Sequence, residues 1–183
     1  MGHIILTHTL FYQDILKVAE KHGITVLTEN FNKMFDEHYY WVDSAEELLE
    51  LIEYVNHPLL KACWDVGHGN LQELPQHEAL KILGDNVRTL HIQDNMGNDD
   101  HHTFPYTGTL NFDPIMHGLQ DINYKGYFPF EADNMPSSPA RRRKFEADTR
   151  CLRLLLEFRK RYETILYDIG KFILTQYNCF EEN

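Results

Sequence analysis

Two observations in the sequence predict an α/β protein built on a parallel β-sheet. Short, nearly continuous apolar strands alternate with helical segments through most of the 183 residues, and this alternation is typical of a parallel sheet covered by helices. In addition, an ionisable side chain stands near the C-terminal end of each of four predicted strands. Because parallel strands all end at one edge of their sheet, these side chains are expected to share that edge, where ligands bind in such folds.

The strands are predicted from segments rich in apolar and β-branched residues that turn residues interrupt. In chain order they are ITVLTEN, LLKACWDV, NVRTLHIQD and GYFPFEAD, at residues 24–30, 59–66, 86–94 and 126–133. The segment HIILTHT at residues 3–9 is interpreted either as the remnant of a preceding strand or as sequence left by a truncated reading frame.

The helices are predicted from their end signals. A helix at 11–22 stops at Gly23, a natural C-cap. A second, at 44–55, starts with a capping box in which Ser44 is followed three residues later by a glutamate.

The remaining helices follow the later strands. Residues 75–84 have proline near the start and glycine at the end. Asp113 and Pro114 are predicted to begin a helix that runs to about Ile122, and residues 140–177 to form one or two helices, with a break near Tyr162 or Gly170.

The composition of the chain indicates which binding partners it disfavours and which cellular compartment it fits. The formal net charge is −11, which disfavours nonspecific binding to nucleic acid or to anionic membranes. Three widely spaced cysteines do not form a disulfide framework and fit a reducing compartment. No signal peptide or membrane span is recognisable, so a cytoplasmic protein is expected.

The four residues at the strand ends are Glu29, Asp65, His91 and Glu131, and His68 lies just beyond the second of them. A charged side chain within an apolar strand is costly unless it is paired or coordinated, so four of them at one edge indicate a common cause. Oxygen-rich ligands with one nitrogen suit Mn²⁺, Mg²⁺, Co²⁺ or Zn²⁺. A divalent metal site is therefore predicted; the alternative is four separate salt-bridge or loop-capping residues.

The motifs around these residues, VLTEN, WDVGHGN, LHIQDN followed by DDHH, and FEAD, resemble the xylose-isomerase-like barrel superfamily. That superfamily holds sugar phosphate isomerases and epimerases and also the endonuclease IV type of apurinic endonuclease. The resemblance covers the chain from about residue 11 to its C-terminus. It implies a metal held by the four strand-end residues, on strands five to eight of a (β/α)8 barrel, and a role for His68 in contacting the substrate or a second metal.

The resemblance also implies a role for the polar loop after the third strand. A pattern of Asp, any residue, His, followed by a glycine turn, falls on Asp99 and His101, with Gly108 as the turn. The pair is predicted to supply additional metal ligands, as in the endonuclease branch, or a polar lid, as in the sugar-active branches; the alternative is a solvated loop. Asp94 and Asn95 are expected to orient their neighbours.

The chain departs from the superfamily in length. A complete barrel needs roughly 250 residues, and four strands match only the second half of one, strands 5–8. Residues 1–183 are therefore interpreted as a single barrel domain truncated at its N-terminal side. Such a half-barrel leaves open strand edges and an uncovered face, which attract other chains. A homo-oligomer is predicted, with an interface near residues 24–27 or 127–130; otherwise a separate chain or the C-terminal helix covers the gap.

The favoured function is that of a metal-dependent sugar or sugar-phosphate isomerase or epimerase that transfers a proton next to a carbonyl, through an enediolate. Glu29 and Glu131 would act as base and acid, and His68 would hydrogen-bond a substrate oxygen. Trp64 and Tyr106 are candidates for packing against the sugar, and a core position is the alternative for Trp64. Two other hypotheses are a metal-dependent phosphodiesterase acting on abasic DNA and an inactive half-barrel fragment.

Overall fold

The computed structural model describes residues 2–32, 42–72, 74–132 and 149–179. A sheet of three parallel strands, in the order β1–β2–β3, forms its centre. The strands are β1 (Val26–Glu29), β2 (Leu60–Asp65) and β3 (Val87–His91), and the helices are α1 (Gly2–His22), α2 (Ala45–Val55), α3 (Val66–Asn70), α4 (Gln76–Leu83), α5 (Phe112–Asp121) and α6 (Thr149–Gln176). The predicted architecture of parallel β/α units is confirmed.

The fourth predicted strand is reduced to one parallel bridge between Ile92 and Phe130. The amide of Ile92 donates to the carbonyl of Pro129 at 2.9 Å, and the amide of Glu131 donates to the carbonyl of Ile92 at 2.9 Å. Proline has no amide proton to donate to a ladder, which accounts for the shortness of the pairing. The segment nevertheless lies beside the end of β3 and brings Glu131 there.

Three sequence-based expectations about helices need correction. Residues 3–9 are not a strand remnant, because they belong to α1, which is continuous from Gly2 to His22. Helix α5 begins at Phe112, and its N-cap is Asn111, whose side chain accepts the amide of Asp113. Helix α6 is unbroken through Tyr162 and Gly170. A Cβ atom at Gly170 would lie 2.9 Å from the Phe130 ring, so glycine here allows the helix to approach the fourth segment closely.

The core lies between the sheet and the helices that cover one of its faces. Along β2, Leu60, Ala62 and Trp64 are buried in this layer together with residues of α2, α4 and α5. Since side chains alternate across a strand, Cys63 and Asp65 point to the opposite face. The capping box predicted at Ser44 is present, with Ser44 accepting the amide of Glu47.

Helix α1 and strand β1 present an apolar surface at one side of the domain. Within the described ranges, β1 pairs with β2 alone. Leu27 on this strand is 41% exposed, and Phe11, Ile15 and Val18, spaced three or four residues apart on α1, are exposed as well. Apolar side chains beside an unpaired strand edge form a surface that another chain can cover.

We therefore predict that the protein self-associates through this surface. Leu27→Glu and Val18→Glu should each shift the mass measured by light scattering at micromolar concentration towards the monomer, because a buried glutamate would be unpaired in the interface. Tyr54→Glu, which changes an exposed aromatic residue of α2, is the matched control and should leave the mass unchanged. A monomeric parent protein would contradict the prediction.

In the part of the chain that the structure describes, no helix has the length and apolar character needed to cross a bilayer.

Candidate metal centre

The predicted ligands converge at the C-terminal edge of the sheet. Glu29, Asp65 and His91 are the last residues of β1, β2 and β3, and the strand register places Asp65 opposite His91. Glu131 follows the bridge between Ile92 and Phe130. In this four-residue cluster each side chain offers one ligand atom, and these atoms all lie within 4.8 Å of one another.

The imidazole of His91 lies between two carboxylates. Its Nδ1 is 2.9 Å from Oε1 of Glu29 and 2.9 Å from Oε2 of Glu131. Hydrogen bonds to the Cys63 thiol and to Glu29 raise the pKa of His91 to about 11. Two carboxylates this close to one ring favour positive charge between them, which a protonated imidazole or a bound metal ion can supply.

The carboxyl group of Asp65 is the fully buried member of the cluster. Its side chain is 0% exposed, its Oδ1 accepts the amide of His68 at 2.6 Å, and its Oδ2 has no hydrogen-bond partner. Burial raises the pKa of Asp65 to about 7. A buried oxygen without a partner is costly, and a divalent ion beside it would remove that cost. The donor set therefore fits an oxygen-preferring divalent metal with one imidazole ligand.

A second cluster adjoins the first and consists of His68, Asp100 and His102. Nε2 of His68 donates to Oδ2 of Asp100 at 3.1 Å, and Nδ1 of the same ring donates to the carbonyl of Asn30 at 2.9 Å. The ring of His102 lies in the same way between the carbonyl of Glu131 at 2.9 Å and Oδ1 of Asp100 at 3.3 Å. Because all four partners are acceptors, both rings are expected to be positively charged.

The pKa shifts agree with this assignment of charge. Burial, the largest single influence, opposes protonation of His68, but the hydrogen bond to Asp100, the negative charges of Asp65 and Asp100 and the hydrogen bond to the carbonyl of Asn30 together outweigh it and raise the pKa of His68 to about 9. The hydrogen bond to Asp100 also raises the pKa of His102 to about 9. Although burial favours its neutral form, hydrogen bonds from His102 and His68 hold the pKa of Asp100 well below its usual range. The second cluster is thus one carboxylate held between two positively charged imidazole rings.

The two clusters meet at His68. Its Nδ1 is 3.8 Å from Oε1 of Glu29 and 3.8 Å from Oδ1 of Asp65. His68 therefore lies beside the four-residue cluster, as expected for a residue that contacts a ligand held there.

Among the two Asp-x-His pairs of the sequence DDHH, the structure brings the second to the site. Asp100 and His102 belong to the second cluster. The predicted pair, Asp99 and His101, makes contacts within the loop. The side chain of Asp99 accepts the amide of Asp100, and Nδ1 of His101 lies 2.7 Å from the carbonyl of Asp99. Neither Asp99 nor His101 belongs to the clusters found among the described residues; their roles as additional metal ligands or as a polar lid stay predictions.

The two aromatic candidates make their contacts with residues outside the two clusters. Trp64 is 1% exposed and its Nε1 donates to Oε1 of Gln76 at 2.8 Å, so it is a core residue and not a sugar-packing one. Tyr106 is half exposed, and its ring packs against Phe112 and Phe172. Its contact with a substrate stays a prediction.

Gln93 is a component of the site that the sequence analysis missed. It is fully buried, and its Nε2 donates to Oδ1 of Asp100 at 2.8 Å and to Oδ1 of Asp65 at 3.3 Å. A Cβ atom at Gly67 would lie 2.1 Å from Cδ of Gln93, so glycine leaves room for this amide. From the sequence, Gln93 could have been identified only by its position two residues after His91, which places both side chains on the same face of the strand.

We expect Gln93→Leu to weaken divalent-metal binding on the order of 10-fold or more, the usual effect of losing a partner that orients a metal ligand. The measurement is Mn²⁺ titration calorimetry. Gln76→Leu is the matched control: it removes a second buried amide, bonded to Trp64 and to the carbonyl of Val66, and should lower the unfolding temperature without changing the affinity for Mn²⁺. Equal affinities in both variants would refute the positioning role of Gln93.

The chain is similar to known proteins over much of its length. A family model described as xylose isomerase-like TIM barrel matches residues 12–155. The chain is 30% identical over 124 residues to an uncharacterized protein of Methanocaldococcus jannaschii, covering 67% of this chain and 41% of that protein. It is 31% identical over 94 residues to the fructoselysine 3-epimerase of Escherichia coli O157:H7, covering 51% of this chain and 34% of that protein.

Solved structures of sugar epimerases have a related fold. A D-tagatose 3-epimerase-like protein superposes with a TM-score of 0.63 at 23% identity, covering 91% of this chain and 57% of that one. The D-allulose 3-epimerase of Methylomonas sp. superposes with a TM-score of 0.61 at 22% identity, covering 69% and 41%. The chain thus spans less than half the length of the curated relatives described above, and the structural likeness concerns the fold.

Proposed function

The chain belongs to the xylose isomerase-like TIM barrel family, and from this premise we propose that it is a metal-dependent isomerase or epimerase of a sugar or sugar derivative. Homologues of the chain are sugar epimerases and isomerases. The observation that carries the proposal is the convergence of Glu29, Asp65, His91 and Glu131 within 4.8 Å, with a buried carboxylate oxygen that has no partner. When bound, a divalent ion would supply the positive charge that stabilises an enediolate.

The exposures of the three carboxylates support different roles for them. The side chain of Asp65 is 0% exposed, whereas those of Glu29 and Glu131 are 32% and 39% exposed. A substrate could reach the last two but not the first. We therefore assign Asp65 to metal binding alone, and Glu29 and Glu131 both to metal binding and to proton transfer.

The proton transfer would use the two glutamates from either side of His91. One carboxylate removes the proton from the carbon next to the substrate carbonyl, and the other returns a proton from the opposite side, which inverts that carbon. His68, held by Asn30 and Asp100, would share its Nε2 proton with a substrate oxygen as negative charge develops there.

The experiment that tests this function is solvent exchange. The protein, loaded with Mn²⁺ or Co²⁺, is incubated in deuterium oxide with ketoses that include those named for its relatives: D-psicose, D-tagatose, L-ribulose and fructoselysine. NMR should detect deuterium at the carbon next to the carbonyl, together with the epimer. Metal binding without exchange on any ketose would contradict the proposal and would favour an inactive half-barrel.

A second candidate function is favoured by the second cluster. His68, Asp100 and His102 could hold a further ion, as a multi-metal phosphodiesterase acting on abasic DNA would require. The net charge of −11 opposes contact with a phosphate backbone, and His68 and His102 would have to give up their protons and their hydrogen bonds to Asp100 before their ring nitrogens could bind an ion. Cleavage of a duplex with one abasic site, without exchange on any sugar, would favour this candidate over the isomerase.

A further inference from the structure

The thiol of Cys63 lies next to the four-residue cluster. Cys63 precedes Asp65 by two residues on β2, so both side chains point to the same face of the sheet. The strand register places Cys63 opposite Glu29. The side chain is buried, at 2% exposure, and its thiol is hydrogen-bonded to His91.

This thiol completes a second possible set of metal ligands. Glu29, Cys63 and His91 each offer one ligand atom, and these atoms lie within 4.8 Å of one another. This set shares Glu29 and His91 with the four-residue cluster, which is rich in carboxylates. In place of Asp65 and Glu131 it contains the sulfur of Cys63. Beside it, the buried Oδ2 of Asp65 has no hydrogen-bond partner.

The two sets differ in the ions that they favour. Carboxylate oxygens prefer hard ions such as Mg²⁺ and Mn²⁺, whereas a thiolate prefers softer ions and binds Zn²⁺ at a short distance. A carboxylate, an imidazole and a thiolate together form a three-residue site of the kind that thiophilic divalent ions occupy with an open fourth position.

We propose that Glu29, Cys63 and His91 bind a thiophilic divalent ion, such as Cd²⁺ or Zn²⁺, at a position that excludes an ion from the carboxylate-rich cluster. The ion forms a bond to the sulfur, and the thiol proton leaves to solvent, as metal binding to cysteine requires. The binding of a thiophilic ion by these residues does not depend on the proposed isomerase activity. The exclusion of Mn²⁺ does rest on the proposed function, because Glu29 and His91 belong to both ligand sets.

The test uses the ultraviolet charge-transfer band of a cadmium–thiolate bond, in a chain in which the other two cysteines are changed (Cys151→Ser, Cys179→Ser). Titration of this background protein with Cd²⁺ should produce the band, saturating at one ion per chain, and Cd²⁺ should displace bound Mn²⁺. Cys63→Ser in the same background should abolish the band. If that variant does not fold by circular dichroism, Cys63→Ala replaces it.

Asp65→Asn in the same background separates the two ligand sets. It should keep the cadmium band and weaken Mn²⁺ binding by at least about tenfold, whereas Cys63→Ser should leave Mn²⁺ binding close to that of the background protein. A band that persists without Cys63, or one that disappears in Asp65→Asn as fully as in Cys63→Ser, would overturn the proposal. Failure of every variant to bind Mn²⁺, with the cadmium band intact, would instead count against the proposed isomerase.

Discussion

Glu29→Gln and Glu131→Gln are each expected to lower the rate of epimerisation by at least about 100-fold, the usual contribution of a positioned acid or base. If each glutamate serves one face of the substrate carbon, the loss should be asymmetric. One variant should still exchange the proton of one epimer, and the other variant that of the opposite epimer. NMR in deuterium oxide, starting from each epimer in turn, measures both rates.

Controls for this experiment separate proton transfer from metal binding. Both glutamates are proposed ligands, so the rates are compared at saturating Mn²⁺, with metal content measured for each variant. Glu78→Gln changes an exposed glutamate of α4 that pairs with His77 and Lys81 and should leave exchange unchanged. Full restoration of exchange at saturating metal would show that the glutamates act only as ligands.

The second large effect concerns the stability of the loop after β3. Asp94→Ala is expected to lower the unfolding temperature by on the order of 10 °C, since each buried donor left without a partner costs about 1–3 kcal/mol. The Asp94 side chain is fully buried and accepts three backbone amides, those of Asn95 at 2.8 Å, Gly108 at 2.9 Å and Leu110 at 3.0 Å. Circular dichroism during heating measures the change.

Asp99→Ala is the matched control for this loop. Its carboxylate accepts an amide in an exposed position, and an exposed substitution of this kind usually changes stability by less than about 0.5 kcal/mol. Asp94→Asn, which keeps one acceptor oxygen, should lie between the two alanine variants. Similar unfolding temperatures for Asp94→Ala and Asp99→Ala would mean that the loop does not depend on this carboxylate.

The parallel β/α architecture and the four-residue cluster were both accessible from the sequence alone. Strand ends can be located from local composition, and parallel strands must end at one edge of their sheet, so Glu29, Asp65 and His91 were predicted together without knowledge of their distances. Asp94 accepts three backbone amides of the loop; its predicted role in orienting a metal-bound histidine stays a prediction. Strand alternation could have shown in advance that Trp64, next to Asp65, points into the core.

The conformation of the loop was decided only by tertiary contacts. In DDHH, both Asp-x-His pairs have the same spacing, and local sequence does not distinguish them. Asp94 holds the amide of Gly108, where a Cβ atom would lie 2.1 Å from the carbonyl oxygen of Asn95. The loop therefore packs closely against itself at Gly108 and Asn95. In the resulting conformation Asp100, not Asp99, contacts His68.

Tertiary packing also determined which buried groups surround the cluster. Cys63 carries no local signal of a metal-site role, and the position of Gln93 two residues after His91 is a weak one, because a buried amide or thiol on a strand is common in any core. Their positions depend on which strands are neighbours and in what register, and both follow from contacts between residues that are 26–62 positions apart in the chain, such as Glu29 with His91 and Asp65 with His91. Such long-range pairings come from the packing of the whole sheet and its helices, which a local pattern of residues does not encode.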